Sequence, residues 1–378
     1  MKKITVIADE KIPFLRGVLE LYAEVIYLPG NKIDRQSVMN GDALLIRTRT
    51  RCDKSLLEGT SVQFIATATI GFDHIDTEYC NQHKIAWFNA PGCNSSSVQQ
   101  YITAVLMELS REQHIRLEDK TIGIVGVGNV GSKVKKIAEL LGMKVKINDP
   151  PRARKEGQQG FVTLDEILQT CDFITLHVPL NKTGIDKTFH LVNKELFSKM
   201  KAGAWLFNTS RGEVVETGAL RSALNSGRLA GTVLDVWENE PSIDLELLRK
   251  TFISTPHIAG YSTDGKANGT SQVVRLLAAH FGLPLTEFFP LNLPEPLFPE
   301  IKIDNAGLSS SQVIEQCVLH TYPIMSDHIL IQDHPETFEQ QRGQYPVRRE
   351  FQAYTVKLSK ADQGTIDILK KLGFKLAE

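Results

Sequence analysis

Cysteine is scarce in this chain: five in 378 residues, odd in number, widely spaced and never in a CxxC pair. That pattern excludes a disulfide framework and a zinc knuckle, so Cys52, Cys80, Cys93, Cys171 and Cys317 are expected to be reduced core residues. His320, His328 and His334 in the tail lack a ligand-like spacing, and no metal is expected. Long apolar runs are lacking too. No window approaches the roughly 18 apolar residues of a membrane span, and Asp9 interrupts the opening MKKITVIADEK too early for a secretion signal. A cytoplasmic chain away from membranes is the expectation. Net charge is missing as well: 43 Lys plus Arg face 44 Asp plus Glu. No global field would recruit nucleic acid, and any cationic site must be local.

What is present is ordinary globular composition, 42% hydrophobic and 23% charged, in a chain long enough for two or three domains. Short β-rich runs recur at ITVIA (4–8), EVIYL (24–28), DALLIR (42–47), VQFIAT (62–67) and KIAWFN (84–89), separated by stretches that suit helices. Such alternation predicts parallel strands with helical crossovers. A longer helix is expected to open near Ser95–Ser97, which can serve as N-caps. The rhythm restarts with TIGIVG (121–126), KVKIND (144–149), CDFITLHV (171–178), GAWLFNTS (203–210), AGTVLDV (230–236) and TFISTP (251–256), enough for a complete nucleotide-binding sheet. Five prolines between 284 and 299 mark a stiff connector. Beyond it, helix candidates at 310–320 and 365–373 and a strand-like FQAYTVKL (351–358) predict a third, α+β unit.

Gly126, Gly128 and Gly131 follow a strand and open a helix, with Asp149 ending the next strand. In that context the glycines permit a tight turn, backbone approach to a pyrophosphate and close helix packing, while the N–H groups of Asn129 and Val130 face the phosphates. A carboxylate at 149 suits the ribose 2′-hydroxyl of NAD. Arg152 and Arg154 lie nearby, either as solvated loop charges or as receivers of a 2′-phosphate. The carboxyl ends of the later strands carry Thr209, Ser210 and Arg211, then Asp235 with Glu240 beyond it, then His257. An arginine fork, a carboxylate and an imidazole delivered to one sheet edge are the parts needed for hydride transfer at a 2-hydroxy acid.

Those segments, "NTSRGEVV" (208–215), "LDVWENEP" (234–241) and "TPHIAGYS" (255–262), together with the glycine motif and "GFDHID" (71–76), resemble the D-isomer-specific 2-hydroxyacid dehydrogenases over about residues 1–282. The resemblance implies that Arg211 binds the substrate carboxylate, that His257 moves the hydroxyl proton, and that Glu240 pairs with His257. It also implies cofactor contacts from Thr209, Ser210, Asp235 and Gly260, with the 176–179 turn, including Val178, walling the adenosine half. Thr48, Thr69 and Tyr261 become substrate contacts. The implied architecture is α/β, with two doubly wound parallel-sheet domains. These are a flavodoxin-like substrate domain (1–95 with 265–282), closing by hinge motion, and a Rossmann NAD domain (96–264).

The strand at 42–47 runs into Arg47, Arg49 and Arg51 on alternate positions. A lone carboxylate would not need such a comb. A second anionic group, a phosphate, would, so Arg47 and Arg49 join the expected substrate contacts. The proline-rich connector and "QRGQYPVRREFQAYTVKL" (341–358) resemble the C-terminal dimerisation domain of one branch of the same family, acting on a phosphorylated 2-hydroxy acid. That resemblance implies an α+β dimerisation domain at 283–378 and a homodimer. Independently of it, Arg348 and Arg349 are expected to reach across the dimer to the phosphate. Two rival readings remain: the same chemistry on phosphoglycerate or hydroxypyruvate, and a non-catalytic, NAD-sensing corepressor-like binding protein.

Overall fold

The computed structural model describes residues 3–360 and 362–377. It comprises two compact units, Met1–Asn94 with Ser262–Pro294 and Ser95–Tyr261 with Glu295–Glu378.

The first unit is built on β1 (Ile4–Asp9), β2 (Ala23–Leu28), β3 (Ala43–Ile46), β4 (Phe64–Thr67) and β5 (Ala86–Phe88), in the order β2-β1-β3-β4-β5. Every neighbour is parallel. β3 and β4 are buried at every position, because helices cover both faces of a parallel sheet. Val6, Leu45 and Phe64 pack on one face with Val273, Val274 and Leu277 of the returning helix Thr263–Phe281. Ile7, Leu44 and Ile65 face Val38, Leu56 and Leu57 on the other. The long helix starts where Ser262 accepts from Gly265 N–H and stops at Gly282 in the left-handed region.

The second unit holds β6 (Thr121–Val125), β7 (Lys144–Asn148), β8 (Phe173–Leu176), β9 (Ala204–Asn208), β10 (Leu229–Leu234) and β11 (Ile253–Ser254), ordered β11-β10-β9-β8-β6-β7 and parallel throughout. Strand order reverses at β6, where β8 lies on one side and β7 on the other. Ligands of open α/β sheets bind outside the carboxyl ends at such a switch point.

The tail adds a parallel sheet of β12 (Glu300–Ile303), β13 (Thr355–Leu358) and β14 (Lys375–Leu376). Its helix Ser310–Thr321 opens with a capping box between Ser309 and Gln312. Val318, Phe351 and Leu369 of the tail belong to the same core as Ile122, Phe207 and Val233 of the large sheet. Buried polar contacts pin the two together: Ser97 donates to Glu350 at 2.8 Å, and Gln100 donates to the Arg349 carbonyl at 2.9 Å. Among the described residues no helix is long and apolar enough to cross a membrane. All five cysteines are free and buried.

Candidate active site

β9, β10 and β11 are neighbours, and Leu234 pairs with both Asn208 and Ser254. The segments that follow them therefore leave the sheet side by side. After β9, Asn208 organises the turn: its side-chain oxygen accepts from Ser210 N–H and hydroxyl, and its amide donates to the Arg211 carbonyl. Arg211 follows in extended conformation, half-buried, with Nη1 donating to the Ser210 carbonyl at 2.8 Å.

Asp235, 1% exposed, anchors the segment after β11. Its carboxylate accepts from the Thr255 hydroxyl (2.7 Å) and from Ile258 and Ala259 N–H (2.7 and 3.0 Å). Its own carbonyl accepts from His257 N–H at 2.7 Å. Burial pushes the Asp235 carboxyl above its ordinary range, outweighing the His257 charge and the donors. The carbonyls of the same two residues, Ile258 and Ala259, accept from Arg348 Nη2 at 3.2 and 2.6 Å. The peptide after His257 is thus gripped from both sides.

His257 itself lies in the left-handed region at φ 58°, rare for a residue with a Cβ. Its Nδ1 is 2.8 Å from Glu240 Oε2, while Glu240 Oε1 accepts from Trp237 N–H at 2.9 Å. Burial raises the Glu240 carboxyl, but the His257 hydrogen bond and charge, the Trp237 N–H and Arg342 outweigh it and leave it below the usual range. An ionised Glu240 can only accept, so Nδ1 of His257 carries the proton and Nε2 is left for chemistry.

The cofactor end is built at the switch point. Gly126 closes the turn after β6 at φ 86°, and a Cβ there would lie 2.6 Å from the His177 carbonyl after β8. At Gly131 a Cβ would meet the Gly126 carbonyl at 2.0 Å. A Cβ at Gly128 would meet nothing within 4 Å beyond its chain neighbours, and helix Asn129–Leu140 starts there without a side-chain cap. An uncapped helix start next to open space suits a pyrophosphate. Asp149 accepts from Val127 N–H (2.8 Å) and Arg152 N–H (3.0 Å), tying the end of β7 to the glycine turn. Arg152 is held by Glu156 and the Val127 carbonyl, and Arg154 by Asp186. Both have protein partners where a 2′-phosphate would otherwise be received, which suits NAD.

His177, which sequence reasoning placed only within a wall, lies between two threonines, with Nε2 3.0 Å from the Thr175 hydroxyl and Nδ1 3.3 Å from that of Thr209. Burial pushes it down to about 3, so it stays neutral at physiological pH. Val178 follows it, half-buried; Gly260 and Tyr261 lie half-buried beyond the gripped peptide.

In the first unit Ile46 pairs with Thr67 at the ends of adjacent strands, so Thr48 and Thr69 occupy equivalent positions two residues on. Thr48 is exposed; Thr69 donates to the Gly71 carbonyl. The arginine comb lies in a turn. Arg47 pairs with buried Asp9 at 3.2 Å, Arg51 with Asp53 at 3.0 Å, and Arg49 is exposed. Arg348, expected to reach across a dimer, is instead 4% exposed and buried in its own chain over the Tyr322 ring at 4.4 Å.

Comparison with known proteins agrees with this architecture. Residues 95–259 match the family described as D-isomer specific 2-hydroxyacid dehydrogenase, NAD binding domain, and residues 292–373 match a family described as a domain of unknown function. The erythronate-4-phosphate dehydrogenase of Bacteroides fragilis is 51% identical over 94% of this chain and 99% of its own. That of Proteus mirabilis is 38% identical over 98% of each. Among solved structures, the D-lactate dehydrogenase of Aquifex aeolicus, complexed with NAD and lactic acid, is 27% identical. It covers 77% of this chain and 100% of its own, at a TM-score of 0.64. An NAD-bound 3-phosphoglycerate dehydrogenase from Entamoeba histolytica is 25% identical, covering 78% of this chain and 100% of its own at the same TM-score. The chain belongs to the erythronate-4-phosphate dehydrogenases, a branch of the D-isomer specific 2-hydroxyacid dehydrogenases.

Proposed function

We propose that this chain oxidises 4-phospho-D-erythronate to (R)-3-hydroxy-2-oxo-4-phosphobutanoate with NAD, a step in pyridoxal 5′-phosphate formation. The observation that carries this reading is similarity over nearly the whole chain, tail included, to erythronate-4-phosphate dehydrogenases, combined with a His257–Glu240 pair beside a nucleotide-binding switch point.

In the mechanism this supports, Arg211 holds the C1 carboxylate with its fork. His257 Nε2 accepts the C2 hydroxyl proton, and Glu240 stabilises the imidazolium that forms. NAD, when bound, would supply the acceptor for the hydride that leaves C2 as its hydroxyl becomes a carbonyl, while His257 holds the proton released from that hydroxyl. Gly126, Gly128, Asn129, Val130 and Gly131 cradle the pyrophosphate. Asp149 receives the ribose hydroxyls, and Val178, Thr209, Ser210, Asp235 and Gly260 line the remainder. Thr48, Thr69, Tyr261, Arg47 and Arg49 are the substrate contacts on this reading. Two copies pair through the tail, where Ile329, Leu330 and Val347 stand exposed, and a cytoplasmic location fits five free thiols.

Initial rates of NADH formation on 4-phospho-D-erythronate, 3-phospho-D-glycerate and D-lactate test it. The highest kcat/KM is expected on 4-phospho-D-erythronate. A higher value on 3-phospho-D-glycerate would favour the phosphoglycerate reading, and NAD binding without turnover of any acid would favour the sensing protein.

A further inference from the structure

Glu238 stands two residues before Glu240 in the segment after β10, and the two carboxylates are held alike. Glu240 takes His257 on Oε2 and the Trp237 N–H on Oε1. Glu238 takes Nε2 of His190 on Oε1 at 2.6 Å and the N–H of Thr217 on Oε2 at 2.8 Å. Asn239 turns the chain between them in the left-handed region at φ 62°, which asparagine tolerates better than most residues. Burial alone would raise the Glu238 carboxyl, but Thr217 and His190 outweigh it and hold it below the usual range. An ionised carboxylate only accepts, so Nε2 of His190 donates.

His190 comes from the segment after β8, and Thr217 opens the helix Thr217–Asn225 after β9. Glu238 therefore joins the segments that follow three successive strands. His190 is itself fixed: its N–H donates to the Glu213 carbonyl at 2.8 Å, and its ring stacks on Phe189 at 4.0 Å. The peptide that Glu238 anchors is one the chemistry depends on. At Gly212, the neighbour of Arg211, a Cβ would run into the Trp237–Glu238 peptide, so the two loops meet backbone to backbone. Trp237 is held a second time where its Nε1 donates to the Thr255 carbonyl at 3.0 Å. An unbroken chain thus runs from His190 through Glu238 and its peptide to the Trp237 N–H, Glu240 and Nδ1 of His257. Of these groups, only Glu240 and His257 enter the proton step.

We propose that His190 and Glu238 are a positioning pair for proton transfer: by pinning the Trp237–Glu238 peptide they set where Glu240 lies and, through it, how the His257 ring is aimed. This rests on the proposed function, in which His257 takes the hydroxyl proton. Reacting groups need to be held to within roughly 0.5 Å by neighbours whose own conformations are locked. Glu240 receives that support from Trp237, and Trp237 receives it from the paired carboxylate and imidazole next to it.

The test measures kcat, KM for 4-phospho-D-erythronate and the Kd for NAD on the full-length chain. The wild type is compared with His190→Phe, His190→Gln, Glu238→Gln, Glu240→Gln and the double variant His190→Phe with Glu240→Gln. His190→Phe keeps a ring to stack on Phe189 and removes the donor. It is expected to lower kcat by about tenfold, the scale of one charge-assisted hydrogen bond. KM and the Kd for NAD should stay within about twofold of wild type, since the loss falls on the chemical step. His190→Gln, which returns an N–H, should recover most of the rate, and Glu238→Gln should lose about as much as His190→Phe. In the Glu240→Gln background His190→Phe should cost little more, because the pair acts through that carboxylate. A pair that only stabilises the loop would lower the unfolding midpoint and leave kcat alone, or subtract the same factor in both backgrounds; either result overturns the proposal. Should His190→Phe fail to fold, the same cycle with Glu238→Gln decides. Failure of the functional reading looks different: a wild type faster on 3-phospho-D-glycerate overturns the assignment of the acid, and the cycle run on that acid still decides the pair.

Discussion

His257 sits in a left-handed conformation that costs roughly 1–2 kcal/mol for a residue with a Cβ, and the surrounding hydrogen bonds account for its persistence. Asp235 holds the N–H groups of the next two residues while Arg348 holds their carbonyls. The geometry leaves Nε2 as the group for proton transfer, so His257→Ala should lower kcat by about a hundredfold or more. Stopped-flow or steady-state rates of NADH formation measure it, and near-normal turnover would remove the mechanism. His177 makes a separate prediction through pH. Its folded-state value is near 3, against an ordinary 6.5, so between those limits the unfolded chain binds a proton that the folded chain refuses. Stability is therefore intact above about 6.5 and falls as pH drops toward about 3, by up to about 1.4 kcal/mol per pH unit. His177→Gln should flatten that slope in denaturant titrations of wild type and variant run in parallel.

Two elements carry most of the binding chemistry, and they differ in how far sequence exposes them. The glycine turn is largely local: strand, three glycines, helix and the following acid lie within one short stretch, and only the space at Gly126 is bounded from afar, by His177 after β8. Gly128→Ala should leave the unfolding midpoint almost unchanged, since a Cβ there meets nothing within 4 Å beyond its chain neighbours, yet weaken NAD binding in calorimetry. Gly126→Ala should reduce both, through its positive φ and the contact at 2.6 Å. The segment after β11 is different. His257 within it was legible, as were Asp235 and Glu240 after β10, but its second clamp comes from Arg348, 90 residues beyond Ile258. Arg348→Met would strip two buried carbonyls of their donor, a loss of about 1–3 kcal/mol. Thermal unfolding should register it, together with a drop in kcat larger than any rise in the Kd for NAD.

Across the whole molecule, the tail and the nucleotide-binding sheet share one hydrophobic core, so folding of the tail is coupled to that of the sheet. Light scattering on the purified chain should give the mass of two copies, with Leu330→Glu shifting it toward one, since Leu330 is 46% exposed on the tail. A monomeric wild type would remove the dimer proposal. The strand rhythm of both large sheets was readable because parallel strands buried on both faces leave continuous apolar runs. β12 and β14 left no such run. EIKI alternates with charge and KL is two residues long, and both become strands only by pairing with β13. The helix Ile324–Asp333 carries apolar residues on several faces and no clean period, which hides it from pattern reading.

Sequence alone determined the succession of strands along the chain, the nucleotide turn and the types of group offered at the sheet edge, because these depend on local pattern and on the carboxyl ends of successive strands. Only the tertiary structure decided what those groups do. Three arginines on alternate positions read as one cationic comb, yet Asp9, 38 residues away, claims Arg47. Two arginines in the tail read as a pair aimed at a partner, yet Arg348 turns inward to His257's neighbours while Arg342, unremarked in the sequence, meets Tyr261. A charged side chain is assigned by whichever buried partner lies within hydrogen-bond reach, and reach across tens of residues is set by packing rather than by spacing along the chain.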